Sequence, residues 1–310
     1  MKVQHIRNGL IEEEHTGTVM TLTSGEINEY PYFLRSCAKP LIATLLIDFY
    51  LDKKYDLTSK EIALCCASHA GEKCHTDIAE KLLKKIGLKY DDLKCGLHKP
   101  LSKTRQHEML LSGENLNFFH NNCVGKHILY LALCKANKWD LATYDDIEHP
   151  LQSLIIKKIN SLCEVTSTFP ITKDGCGVPI LSMPLENMLK GFINVFCTEK
   201  YYKIARAFLK NPYIIGGEDR LDTEIMLKSE GLIAKVGAGG LCIVVNIVKS
   251  NGLIVKINDC DMETRRLVTF EALNRLCWSD YSPSKQITTL HGEVVGKIQI
   301  DFDLDKKVYV

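Results

Sequence analysis

A serine and a lysine three residues apart stand at the first place in the chain where chemistry is legible. In Arg35-Ser36-Cys37-Ala38-Lys39-Pro40 the serine precedes an apolar run of helical period, so hydroxyl and amine share one helical face a single turn apart. A hydroxyl is a weak nucleophile until an adjacent base takes its proton, and a lysine kept neutral is such a base. The helix N-terminus favours the negative charge that develops when a carbonyl is attacked. An N-cap serine beside an exposed lysine would read alike, and the Ser282/Lys285 pair near the C-terminus looks like a chance match in a lysine-rich chain.

Four further segments carry polar groups among small residues. Cys65-Cys66-Ala67-Ser68-His69-Ala70-Gly71-Glu72 ends an apolar helix, with small neighbours that let a ligand approach Ser68. In His120-Asn121-Asn122-Cys123-Val124-Gly125-Lys126-His127, the positions of Cys123, Lys126 and His127 suit either metal ligands or a cysteine nucleophile with a helper. As a zinc site this cluster is incomplete, because neither a C-x-x-C nor an H-x-x-x-H pair occurs to complete four ligands. Asp174-Gly175-Cys176-Gly177-Val178-Pro179 is a glycine-rich turn into a strand, whose aspartate could hold a substrate ammonium. Gly216-Gly217-Glu218-Asp219-Arg220-Leu221-Asp222-Thr223 is followed by Lys235 on a strand before Gly237-Ala238-Gly239-Gly240, where a lysine can project into a cleft floor.

The elements that must position these groups follow from periodicity. TGTVMTLT reads as a strand, with Ser24-Gly25-Glu26 as its turn. Leu41, Ile42, Leu45, Leu46, Phe49 and Tyr50 then recur at helical spacing. Thr58 and Glu61 make a capping box, and a helix opens at Asp77 and closes at Gly87. Further helices are expected over about 123–138, 150–163, 184–196, 199–209 and 218–229. Strands return as IAKV, LCIVVNIV and LIVKIN, the last two joined by a hairpin turn at Ser250-Asn251-Gly252. A helix over about 262–276 and a last strand VVGKIQI follow. Strands at both ends therefore bracket a helical middle. The expectation is an α+β protein, one catalytic unit over 1–310, with a sheet subdomain from about 1–35 and 231–310 and a mainly helical subdomain over 36–230.

Bulk properties narrow the partners. The 310 residues carry a formal net charge of +1 without blocks of like charge, which argues against nucleic acid and anionic membranes and for a small substrate. The apolar stretches are too short to span a bilayer, and the N-terminus has no signal-peptide h-region. Thirteen cysteines, an odd number placed mostly in apolar helical runs, read as reduced and point to the cytoplasm.

Taken in order, R-S-x-x-K-P, C-A-S-H-x-G-E, H-N-N-C-x-G-K-H, D-G-C-G-V-P, G-G-x-x-R-x-D-T and K-x-G-A-x-G resemble the second, Rhizobium-type L-asparaginase family. The resemblance runs from Arg7-Asn8-Gly9 and His15 to His291-Gly292-Glu293-Val294-Val295-Gly296. It implies a fold similar to that of serine β-lactamases and penicillin-binding proteins, and hydrolysis of L-asparagine by a homodimer. It implies two serine/lysine pairs, Ser36 with Lys39 and Ser68 with Lys235, and a substrate pocket lined by Arg35, His127 and Asp174. It also implies a zinc ion held by Cys123 and Lys126, with Asp222 at the third ligand position, where a carboxylate in place of a thiolate should weaken binding. A glutaminase of the same fold, or a non-catalytic metal-binding homologue, are the alternatives.

Overall fold

The computed structural model describes residues 1–22 and 29–304, so the expected turn at Ser24-Gly25-Glu26 lies outside the described residues. The chain opens with a hairpin, β1 (Lys2–Arg7) and β2 (Leu10–Thr21), and a short β3 (Tyr32–Phe33). A single 3-10 turn, Arg35–Cys37, feeds α1 (Ala38–Asp48), which is followed by α2 (Leu51–Lys54), α3 (Ser59–Cys66), α4 (Lys73–Ile86), α5 (Lys103–Ser112), α6 (Val124–Asn137) and α7 (Pro150–Leu162). Two short strands, β4 (Ile171–Lys173) and β5 (Pro179–Met183), precede α8 (Leu185–Phe196), α9 (Tyr202–Lys210), α10 (Pro212–Ile215) and α11 (Leu221–Lys228). The chain then returns to sheet as β6 (Leu232–Gly237), β7 (Leu241–Asn246) and β8 (Asn251–Ile257), and ends with α12 (Met262–Arg275), β9 (Gln286–Thr288) and β10 (Val294–Asp301).

The main sheet has seven strands in the order β6-β7-β8-β2-β1-β10-β9, all paired antiparallel. Both chain ends build it, because β2 pairs with β8 and β1 with β10. The protein is thus α+β with helices inserted between the strands. Every residue of β6 and β7 is buried, because helices cover both faces of this edge. Ile233, Ile243, Val245 and Ile254 join the core of the helical body, while their alternates Leu232, Ala234, Val236, Cys242, Val244 and Val255 pack in a second core with Val268 and Phe270 of α12. Two-residue alternation therefore puts Lys235 on the face of Ile233, towards the helical body.

Three local readings differ from the structure. Helix α4 begins at Lys73 rather than Asp77, because the backbone amide of Glu72 donates to His75 Nδ1 (3.2 Å) and starts the helix a turn earlier. The β7–β8 turn lies earlier than Ser250-Asn251-Gly252: Asn246 pairs with Asn251, so the connection runs over 247–250, Ser250 takes the left-handed conformation (φ 47°), and Asn246 Oδ1 accepts from the amides of Val248 and Lys249. The expected helical middle also holds the strands β4 and β5, which form a three-stranded sheet with β3, in the order β3-β5-β4.

One glycine sets the depth of the helical packing. A Cβ on Gly125 would lie 2.0 Å from the Leu64 carbonyl oxygen, so α6 meets α3 at a distance only glycine allows. That contact brings Cys123 and Lys126 close to the C-terminal end of α3, where Ser68 follows.

Candidate active site

Lys39 is the centre of the site. Its ammonium is 1% exposed and donates to the carbonyls of Ala67 (2.7 Å) and Asn122 (2.9 Å) and to Ser68 Oγ (2.9 Å). Burial pulls its pKa down to about 8, with Lys126 and Lys235 adding repulsion and Cys123 and Cys176 opposing the fall. The serine it touches is Ser68, not Ser36. Ser36 lies in the 3-10 turn, half-buried, and its hydroxyl makes no hydrogen bond among the described residues. The reason is the entry geometry: Arg35 takes a left-handed φ of 46° and a 3-10 turn, not an α-helical one, carries the chain through Ser36 into α1.

Lys235 has a different partner from the one expected. It is fully buried and donates to Asp222 Oδ2 (3.1 Å) and to the Val236 carbonyl (2.9 Å). Asp222, equally buried, has its carboxyl held below the usual carboxylate range, since the pull of Lys235 and Arg220 and the amide of Val236 outweigh the burial that opposes ionisation. Asp222 is therefore engaged as the counter-ion of Lys235.

The residue that does meet Cys123 and Lys126 is Cys176, from the turn between β4 and β5. Lys126 Nζ donates to Cys176 Sγ (3.1 Å), and Cys123 Sγ donates to Asn122 Oδ1 (3.3 Å). The neighbouring Cys176, aided by Lys39 and Lys126 against the effect of burial, holds the Cys123 thiol well below its usual range, while Cys123 and burial push Cys176 up. The two sulfurs sit beside an ammonium whose charge they and Asp174 sustain despite its burial. Two sulfurs and an amine on three buried side chains are a soft donor set of the kind zinc takes. The signal for Cys176 was in the D-G-C-G-V-P turn, but no spacing ties a residue of that turn to a helix some fifty positions earlier.

Asp174 links this cluster to the mouth of the site. Its Oδ1 accepts from Arg35 Nε (2.8 Å) and from the Gly175 amide (2.9 Å), and Lys126 Nζ lies 4.0 Å from Oδ2. Arg35 keeps 39% of its side chain exposed. His127 is fully buried, with Nδ1 on the Tyr144 hydroxyl (2.6 Å) and Nε2 without a partner; burial and the nearby lysines keep it neutral. Asn121 fixes the preceding loop by donating to the carbonyls of Cys95 and Gly96 and accepting from the Cys123 amide. Ser282 and Lys285 form no comparable pair, because Lys285 is bound to Glu271 in the loop before β9.

All thirteen cysteines are free. Among the described residues no helix is long and apolar enough to cross a membrane. Residues 3–300 match the family model described as L-asparaginase II. No curated protein matches the chain. Among solved structures, a β-lactamase from Mycobacterium bovis is similar at 12% identity over 88% of this chain and 94% of that one, with a TM-score of 0.41. A D-alanine carboxypeptidase AmpC from Burkholderia cenocepacia is similar at 14% identity over 88% of this chain and 93% of that one, with a TM-score of 0.40.

Proposed function

Because the chain belongs to the L-asparaginase II family, a family of amide hydrolases, we propose that its substrate is L-asparagine, hydrolysed to L-aspartate and ammonia through a serine nucleophile. The observation that carries this reading is the buried lysine, Lys39, bonded to a serine hydroxyl and with its pKa brought down to about 8, within reach of the neutral form a general base needs.

Ser36 is the uncommitted and more accessible hydroxyl, and in our reading its Oγ attacks the side-chain amide carbon. Its proton passes to neutral Lys39 by way of Ser68 Oγ and is returned to the nitrogen as ammonia departs. Water then adds to the acyl-enzyme, loses its proton to the same lysine, and releases aspartate with Ser36 restored. Lys235, held by Asp222, places its amine on the floor of the site. Arg35 and Asp174 offer the guanidinium and carboxylate that a zwitterionic amino acid requires at its α-carboxylate and α-ammonium. His127 supports that pocket from behind.

Cys123, Lys126 and Cys176 would hold a zinc ion, supplying positive charge beside the substrate pocket, and Lys126 would have to give up its proton to bind it. The family resemblance also favours a homodimer. A second reading, in which Ser68 itself attacks, is favoured by its direct bond to Lys39. A diazoketone analogue of asparagine, followed by peptide mass mapping, separates them: label on Ser36 supports the first, label on Ser68 the second, and label on neither serine removes both.

A further inference from the structure

A second cluster of metal-capable groups lies far from the serines, on the N-terminal hairpin. His5 and Glu13 face each other across β1 and β2, and His15 follows Glu13 by two residues on the same face of β2. Glu13 Oε2 is 3.6 Å from His5 Nδ1 and 3.6 Å from His15 Nε2. Two donors on a tetrahedral ion with bonds of about 2.0–2.1 Å stand roughly 3.4 Å apart, so these separations nearly match those of ligands already in place. His15 Nδ1 is bonded to Asp259 Oδ2 at 2.6 Å, which in the neutral ring fixes the proton on Nδ1 and leaves the Nε2 lone pair facing Glu13. That Nε2 atom is buried and has no hydrogen-bond partner.

We propose that His5, Glu13 and His15 bind a divalent transition-metal ion such as zinc, with Asp259 as the positioning residue for His15. A carboxylate bonded to the far nitrogen of a ligating histidine is the usual support of such sites. The other candidate cluster, Glu72, Cys74 and His75, lacks a free ring nitrogen, since His75 Nδ1 accepts from the Glu72 amide and Nε2 meets the Tyr213 carbonyl. The hairpin site sits three to four strand spacings from β6, roughly 14–19 Å from the Lys235 strand, and is independent of the proposed reaction. Its effect is a clamp. Asp259 follows β8, and the neighbouring Asn258 bonds Thr16 through both backbone and side chain, so an ion on His15 ties the hairpin to the β8–α12 connection.

The test is titration of the full chain with Co(II), followed by visible and near-ultraviolet absorption. A histidine–carboxylate site gives ligand-field bands without the thiolate-to-cobalt charge transfer that a cysteine site produces. The expected result is one such ion per chain, bound at least tenfold more weakly by Glu13→Gln and by His15→Gln, and tenfold to a hundredfold more weakly by Asp259→Asn. Amide hydrolysis should be unchanged in all three, and the melting temperature of the parent should rise with metal. Glu13 is 59% exposed, so its variant folds even if the His15 variant does not. Identical titrations for parent and Glu13→Gln, or a spectrum in which every bound ion shows thiolate charge transfer, would overturn the assignment in favour of a protonated His15 shared between two carboxylates.

Discussion

Replacing Asp222 with asparagine should leave an ammonium stranded in the protein interior. The Lys235–Asp222 contact is 3.1 Å long and both side chains are 0% exposed. At an effective dielectric of about 20 that separation corresponds to an attraction of about 5 kcal/mol, set against the cost of burying each charge. Removing one partner forfeits the attraction while the other charge remains desolvated, and such losses run to about 3–5 kcal/mol. Asp222→Asn should therefore lower the unfolding free energy by that amount and the melting temperature by on the order of 10 °C. Removing both charges, as in Asp222→Asn with Lys235→Met, should recover most of it, because no buried charge is then unpaired. Denaturant unfolding followed by fluorescence gives both numbers. The parent's contribution from this pair also has a defined pH sense. The folded pKa of Asp222 is below its unfolded value, so the stabilisation is complete above about pH 4, the ordinary aspartate range, and is lost as pH falls through the folded pKa. Metal content should be unaffected by Asp222→Asn. A single-variant loss under about 1 kcal/mol, or a double variant losing the sum or more, would show that the two buried charges are not coupled in this way.

Other outcomes follow from the same geometry. Activity should rise with pH through about 8 as Lys39 loses its proton, and Lys39→Met should abolish both turnover and that limb of the profile; a pH–rate series on kcat checks this. Cys176→Ala should lower bound zinc as far as Cys123→Ala does, measured by elemental analysis of protein prepared without chelators. Gly125→Ala should cost about 1–3 kcal/mol by forcing α6 off the Leu64 carbonyl, and should raise KM by displacing Lys126 and Cys123, as read from denaturant midpoints and steady-state kinetics.

What was legible in the sequence depended on range. Local patterns carried the architecture: the helical period from Leu41, the Thr58–Glu61 capping box, Gly87 as a C-cap and the apolar strands near Lys235 all recur in the structure. The first hairpin escaped notice because β2 exposes Glu12, Glu13 and Glu14 and so lacks apolar alternation over that stretch, although Asn8-Gly9, both with positive φ, is a turn that could have announced it. Motif order singled out Lys39, Ser68, Cys123, Lys126 and Lys235, which lie in one neighbourhood, but their pairing was set by contacts between distant segments. The i, i+3 spacing suggested Ser36 for Lys39, whereas the end of α3 presents Ser68 to it. Cys176 met Cys123 only through the β4–β5 turn, and Asp222 turned to Lys235 because both lie where α11 packs on β6.

Ammonia release from L-asparagine and from L-glutamine by the same purified, folded protein, supplied with zinc, decides whether the chain is an asparaginase. Equimolar ammonia and aspartate are expected from L-asparagine, with a smaller kcat/KM for L-glutamine and no release from the Lys39→Met variant. Absence of turnover with L-asparagine, or undiminished turnover in Lys39→Met, would contradict that reading.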